Sequence, residues 1–172
     1  MNISLIGMMG CGKTTIANLI ANDLSFSFVD TDSLIVKREN RSINEIFEIN
    51  GEEYFREIET TILKEVLNNH NQIISTGGGI ITREENIKHL KEKSIVIFLE
   101  ADVKTLYERV KNNKDRPLLN VDDMKEKITK LLTERKNSYK QAHHTISTID
   151  KNPNEIANEI IGIINEYSRS KN

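Results

Sequence analysis

The chain has 172 residues, enough for one well-buried domain and hardly for two independent cores. Its net charge of −2 at pH 7 argues against a general polyanion binder, so nucleic acid is not an expected partner. The single cysteine, Cys11, excludes an intramolecular disulfide, no apolar run reaches bilayer-spanning length, and no charged stretch followed by a longer apolar segment opens the chain as a signal peptide would, so a reducing cytoplasm is expected.

The first apolar run, ISLI at residues 3–6, is short and β-branched, as in a buried strand. Directly behind it stands GMMGCGKT, residues 7–14, with the spacing of a phosphate-binding P-loop. Glycines at 7, 10 and 12 let successive backbone N–H groups turn inward around a polyphosphate, and of Cys11 only the N–H is needed. Lys13 would reach the β- and γ-phosphates, and the Thr14 hydroxyl would ligate a bridging magnesium ion. Ile16, Leu19, Ile20 and Leu24 then form one apolar stripe at helical spacing, which aims a helix N-terminus at the anion.

The second strand run, FSFVD, leads into Asp30 and Asp32, which would share one face of an extended chain and project toward the P-loop. One carboxylate suits magnesium, and the other could orient an attacking hydroxyl and accept its proton. The alternative for such residues is an Asx turn or a helix cap before Ser33. An insertion follows over residues 33–69, with two or three helical pieces broken at Asn50 and Gly51, more than a crossover needs and long enough to cover a second ligand. Ser42 and Glu45 open it with capping-box spacing. Within it GEEYFREIE puts Arg56 within one turn of Glu52 and Glu59, which without further context reads as an exposed ion pair.

The third strand run, QIIST, ends in three consecutive glycines, 77–79, whose entropy cost points to close backbone approach to a ligand. Thr82 and Glu85 have capping-box spacing, and SIVIFLE, residues 94–100, reads as a buried strand. KNNKDRPLLNVDD, residues 111–123, is polar, contains a proline and joins two helical patterns, as a mobile flap would. Arg116 in this flap and Arg135 on the following helix are cationic candidates for a phosphoryl-transfer site, although Arg135 alone reads as a solvated face. HTISTI completes the strand set, and Asn152, Pro153 and Glu155 place a cap, an N1 proline and an N3 acid before the last helix. The four histidines, His70, His89, His143 and His144, show no metal-ligand spacing and are expected at the surface or an edge. Alternating strand and helix patterns imply an α/β fold of βαβ units with a parallel, doubly wound sheet, which binds ligands beyond its C-terminal strand ends. Composition and spacing therefore reach a small P-loop phosphotransferase.

The ordered set GMMGCGKT, FVDTD, SINEIFEINGEEYFREIE, STGGG, DRPLL, TERKNSY and KNP resembles the shikimate kinase family, from residue 7 to about residue 153. FVDTD with GExxFRxxE and GGG is specific to that family, whereas the P-loop is widely shared. The resemblance implies magnesium-dependent transfer of the ATP γ-phosphoryl group to the 3-hydroxyl of shikimate, in chorismate and aromatic amino-acid biosynthesis. It also implies one kinase domain over residues 1–172, a three-layer α/β/α fold like that of nucleoside monophosphate kinases. Its sheet would have five parallel strands, its substrate-binding insertion would span about 33–60, and its mobile lid about 111–123. By this resemblance Lys13, Asp32 and Arg116 carry catalysis. Gly10, Cys11, Gly12, Lys13, Thr14, Thr15, Arg109, Arg116 and Lys151 form the ATP site, with Lys151 where an arginine is more usual beside adenine. Thr14 and Asp30 hold magnesium, Asp30 mainly through water. Asp32, Arg56, Arg135 and glycines Gly77, Gly78 and Gly79 take shikimate, the two arginines through its carboxylate. A cytoplasmic monomer with ATP and shikimate as partners, and neither nucleic acid nor membrane, is expected.

Gluconate kinase is the nearest alternative, but its second strand carries an Asp-Gly-Asp pattern and it lacks the FRxxE helix; adenylate kinase fits less. A P-loop switch would need a guanine-reading NKxD, which is absent. A non-catalytic nucleotide regulator would have no need of Lys13, Thr14, Asp30, Asp32 and Arg116 together.

Overall fold

The structure is a computed structural model that describes residues 1–111 and 121–170. Five parallel strands, β1 (Asn2–Ile6), β2 (Ser27–Asp30), β3 (Gln72–Ser75), β4 (Ile95–Glu100) and β5 (His144–Ser147), lie in the order β2-β3-β1-β4-β5. Every residue of β1, and all of β4 except Glu100, is buried. Since successive side chains of a strand point to opposite faces, helices must cover both sides of the sheet, as parallel pairing requires. The Ile- and Leu-rich core runs through Ile3, Leu5, Ile73, Ile74, Ile97 and Leu99.

Helix α1 (Lys13–Leu24) buries Ile16 and Ile20 and half-buries Leu19 and Leu24, so the expected stripe faces the core. Two helices, α2 (Thr31–Glu39) and α3 (Ile43–Val66), form the insertion. The break falls at Gly51, whose φ of 83° and ψ of 173° lie outside the helical region and re-aim the second half of α3. Ser42 caps α3 in a reciprocal box with Glu45, and Asn152 does the same with Glu155 for α7 (Pro153–Arg169).

The box expected at Thr82 and Glu85 does not form. Thr82 closes a 3₁₀ turn (Ile80–Thr82) and its hydroxyl donates to the Gly79 carbonyl at 2.7 Å. Helix α4 (Glu84–Lys93) therefore starts one residue late, and Glu85 pairs with Lys64 across to α3. Helices α5 (Val103–Val110) and α6 (Val121–Tyr139) flank residues 112–120; most of the expected flap, Arg116 included, thus lies outside the described residues. His70 and His143 are exposed and His89 and His144 half-buried. His143 does more than sit at the edge: its Nδ1 accepts the Val96 N–H at 2.9 Å at the start of β4. No helix among the described residues is long and apolar enough to cross a membrane.

Candidate active site

The strand register puts Asp30 opposite Ser75 and Ser75 opposite Leu5, so the C-terminal ends of β2, β3 and β1 open on one crevice. The P-loop rises from β1 and turns into α1. Gly10 has φ of 81°, and a Cβ there would sit 2.6 Å from Val110 Cγ1, so α5 braces the loop where only glycine fits. Gly12 stands at the N-cap of α1 with no side-chain cap, and no acid occupies the first turn. The first N–H groups of α1 are thereby left to an anion. Lys13 is buried, and its ammonium donates to the carbonyls of Gly7 at 2.8 Å and Met8 at 3.0 Å, with Cys11 Sγ at 3.7 Å. Thr15 is exposed beside Thr14 in the first turn of α1.

The Thr14 hydroxyl lies 3.1 Å from Asp30 Oδ2 and 3.2 Å from Ser75 Oγ. Sequence reasoning missed Ser75; its signal was a hydroxyl at the last position of a strand next to the P-loop. Asp30 has two tasks. Its Oδ1 accepts the Ser33 N–H at 3.0 Å and caps α2, a contribution of about 1 kcal/mol, while Oδ2 faces Thr14. The helix starts at Thr31, so Asp30 and Asp32 do not lie along one extended face as expected. Asp32 belongs to the first turn of α2 and points instead at Gly77. The two carboxylates are thus separated by the cap: one at the phosphate end, one at the triple-glycine end.

At the triple glycine the crowding comes from the protein's own side chains. A Cβ on Gly77 would lie 2.6 Å from both Asp32 Oδ1 and Glu59 Oε1, and one on Gly79 would collide with the guanidinium of Arg56. Arg56 donates through Nη1 to Glu59 at 2.7 Å and through Nε and Nη2 to Glu52 at 3.3 and 3.2 Å. This is no solvated pair, since the Arg56 side chain is 11% and that of Glu59 1% exposed. Burial pushes the Glu59 carboxyl above the usual carboxylate range, with Arg56 and Arg135 pulling it down and Asp32 adding to the rise. Burial also weighs against the charge of Arg56, but Glu59 and Glu52 more than offset it and its pKa is raised. Arg135 leaves its helix face for the same loop, donating to Gly78 O at 3.0 Å and lying 3.7 Å from Met8 Sδ. Tyr139, one turn on, donates to the same carbonyl at 3.0 Å; burial pushes its phenol up to about 12, and its ring stacks on Phe98 at 4.6 Å. Glu59 and Tyr139 are further residues the sequence reading gave no role, although both stand in its motifs, FREIE and TERKNSY.

Arg109 joins the far side of the P-loop to the end of β5, donating to Thr148 Oγ1 at 3.2 Å, to Thr148 O at 3.0 Å and, longer, to Cys11 O at 3.5 Å. Lys151 is partnered by Glu159 of α7 at 2.6 Å. The arrangement can therefore seat a polyphosphate on backbone N–H groups and, across Gly78, an anionic acceptor between two guanidiniums. Gly78 links the two ends, since its Cβ position lies 3.4 Å from Met9 N and 3.5 Å from Gly7 O.

A family model described as shikimate kinase matches residues 9–165. The shikimate kinase of Thermodesulfovibrio yellowstonii is 42% identical over 171 residues, covering 99% of this chain and 97% of that one. That of Persephonella marina is 42% identical over 163 residues, covering 95% and 98%. Among solved structures, shikimate kinase from Acinetobacter baumannii in complex with shikimate superposes with a TM-score of 0.91 at 36% identity, covering 96% of this chain and 93% of that one. A gluconokinase from Sinorhizobium meliloti, at 13% identity and a TM-score of 0.61, shares the fold alone. With motif, architecture and relatives in agreement over nearly its whole length, the chain belongs to the shikimate kinase family of ATP-dependent small-molecule kinases.

Proposed function

We propose that this protein transfers the γ-phosphoryl group of ATP to the 3-hydroxyl of shikimate, giving shikimate 3-phosphate and ADP, and does so as a cytoplasmic monomer without nucleic acid or membrane. The observation that carries the reading is the cup of Asp32, Glu59, Arg56 and Arg135 on glycines 77–79, which touches the P-loop through Gly78. A planar carboxylate suits two guanidiniums, and a hydroxyl suits the carboxylate of Asp32 beside them. Asp32 orients the acceptor hydroxyl and takes its proton as the new O–Pγ bond forms and the bond from Pγ to the β,γ-bridging oxygen breaks. The ammonium of Lys13 exchanges the Gly7 and Met8 carbonyls for phosphate oxygens, where charge accumulates during transfer. Gly10, Cys11, Gly12, Thr14 and Thr15 cradle the phosphates, and Arg109 and Lys151 border the adenine. Arg116, outside the described residues, bears on the transferred group by its place in the motif.

Asp30 and Ser75 each place a hard oxygen within hydrogen-bond reach of the Thr14 hydroxyl, and the three together suit magnesium. Among the described residues no three His, Cys, Asp or Glu side chains are grouped so as to hold a metal ion by themselves, so the rest of the shell would come from phosphate and water. Magnesium, when bound, neutralises charge on the β- and γ-phosphates. The test is ADP release measured with shikimate, gluconate, AMP or no acceptor, each across a magnesium titration. Release with shikimate and magnesium alone is expected. Equal release with gluconate, with AMP or without acceptor would overturn the assignment, and activity unchanged by a chelator would remove magnesium from it.

A further inference from the structure

Around glycines 77–79 the described residues set three carboxylates, Asp32, Glu52 and Glu59, against two guanidiniums, Arg56 and Arg135. An acceptor carboxylate arriving there would bring a fourth negative group. The three resident carboxylates are unequal in their freedom to move. Glu59 is fully buried on α3, and Asp32 is fixed in the first turn of α2 against Gly77. Glu52 is 67% exposed, and a single oxygen, Oε1, takes both Arg56 contacts at 3.2 and 3.3 Å, long for charge-assisted bonds.

The edge that Glu52 takes matters. A guanidinium offers a carboxylate two parallel bonds from its Nε/Nη2 edge or from its Nη1/Nη2 edge. On Arg56 the first is occupied by Glu52, the second shares Nη1 with Glu59, and a flat face lies on Gly79. We infer that Glu52 is an internal competitor for Arg56, an exposed carboxylate that occupies the edge open to an acceptor carboxylate, gives way when the acceptor binds, and so sets acceptor affinity. The inference rests on Arg56 being the grip for that carboxylate.

The ordinary role of an acid at this place is to support the helix. Glu52 follows the Gly51 break, so it opens the second half of α3, where a negative charge is favoured, and it pairs i to i+4 with Arg56. That role explains stability and predicts nothing for acceptor binding, so the two are separated by what is measured. With Glu52 in solvent on its side the pair is screened and weak even though Arg56 is buried, and releasing Arg56 from Glu52 is worth roughly two- to fivefold in affinity.

The experiment is steady-state kinetics at saturating ATP for the full chain, Glu52→Gln, Glu53→Gln and Arg56→Ala, with shikimate and with its neutral carboxamide as acceptors. Glu53, 80% exposed and paired with Arg83, is the control for a general change of surface charge. Glu52→Gln should lower KM for shikimate roughly two- to fivefold, with the change in KM rather than kcat, should leave KM for the carboxamide alone, and should have no counterpart in Glu53→Gln. An unchanged or raised KM for shikimate in Glu52→Gln, an equal fall for the carboxamide, or an equal fall in Glu53→Gln overturns the inference. If Arg56→Ala leaves KM for shikimate unchanged, the Arg56 grip itself is wrong; if it raises that KM while Glu52→Gln does not lower it, only the competitor is.

Discussion

At the phosphate end, Lys13 lies against carbonyls of its own loop, and the Thr14 hydroxyl of the same loop meets Ser75 and Asp30 at the ends of the next two strands of the sheet. At the acceptor end, Asp32 comes from α2, Arg56 and Glu59 from α3, and Arg135 and Tyr139 from α6, and they meet only on glycines 77–79. The first end works through backbone geometry, with left-handed glycines and an uncapped helix start. The second works through side-chain charges taken out of water. A backbone device can be kept while side chains change, so one architecture can serve different acceptors.

The comparison breaks most visibly if the two ends cannot be disabled separately. Lys13→Ala should reduce turnover by at least about 100-fold, the scale for removing one preorganised donor, while far-UV circular dichroism stays that of the wild type. Asp32→Asn should reduce kcat by about 100-fold or more, within the range for positioned proton transfer, with nucleotide affinity by titration little changed. Arg135→Ala should raise KM for shikimate by roughly 10-fold, as loss of a charged hydrogen bond does, and leave KM for ATP nearly alone. Arg56→Ala should do the same to KM but also lower the melting temperature, because it strands the buried Glu59 carboxyl at a cost of about 3 kcal/mol. Comparable losses of ATP binding in the last three would show that the ends are one unit.

The smallest effect lies away from both ends and sharpens the contrast by leaving them intact. His143 Nδ1 must be unprotonated to accept the Val96 N–H, and partial desolvation of an otherwise exposed ring, with Lys91 and His144, holds its pKa below the ordinary value of 6.5. Its contribution is therefore present above that ordinary value and lost as pH falls below it toward the depressed folded one. Thermal unfolding should show a modest fall in stability over that interval, reduced in His143→Ala. A curve identical in the two proteins would remove His143 from the account.

The strand, glycine loop and helix of the first end were readable because their physics is local: the glycine spacing, the strand before it and the stripe after it are all in one short stretch. The helix starts at Ser42 and Asn152 and the break at Gly51 were readable for the same reason, whereas the order of the strands was not. The acceptor end was readable only as fragments with no distance between them, and the resemblance joined what spacing could not. Ser75 escaped because nothing in QIIST says which residue will stand opposite Asp30. The extended reading of VDTD failed because a cap made by Asp30 turns the chain before Asp32, a competition between strand and helix that four letters leave open.

Asp30 also narrows how this enzyme can be altered. Because one of its oxygens begins α2 and the other faces Thr14, removing the side chain would loosen the helix that aims Asp32, and a fault at the proposed magnesium site would arrive disguised as a fault at the proposed acceptor site. Asparagine keeps an oxygen for the cap but loses the charge and turns the acceptor that faces Thr14 into an amide donor, so the pair Asp30→Asn and Asp30→Ala separates the two tasks within one residue. Any redesign of the proposed acceptor pocket that re-aims α2 inherits the same tether: the orientation of Asp32, the proposed base, is set from the phosphate side, by a residue that the acceptor need never touch.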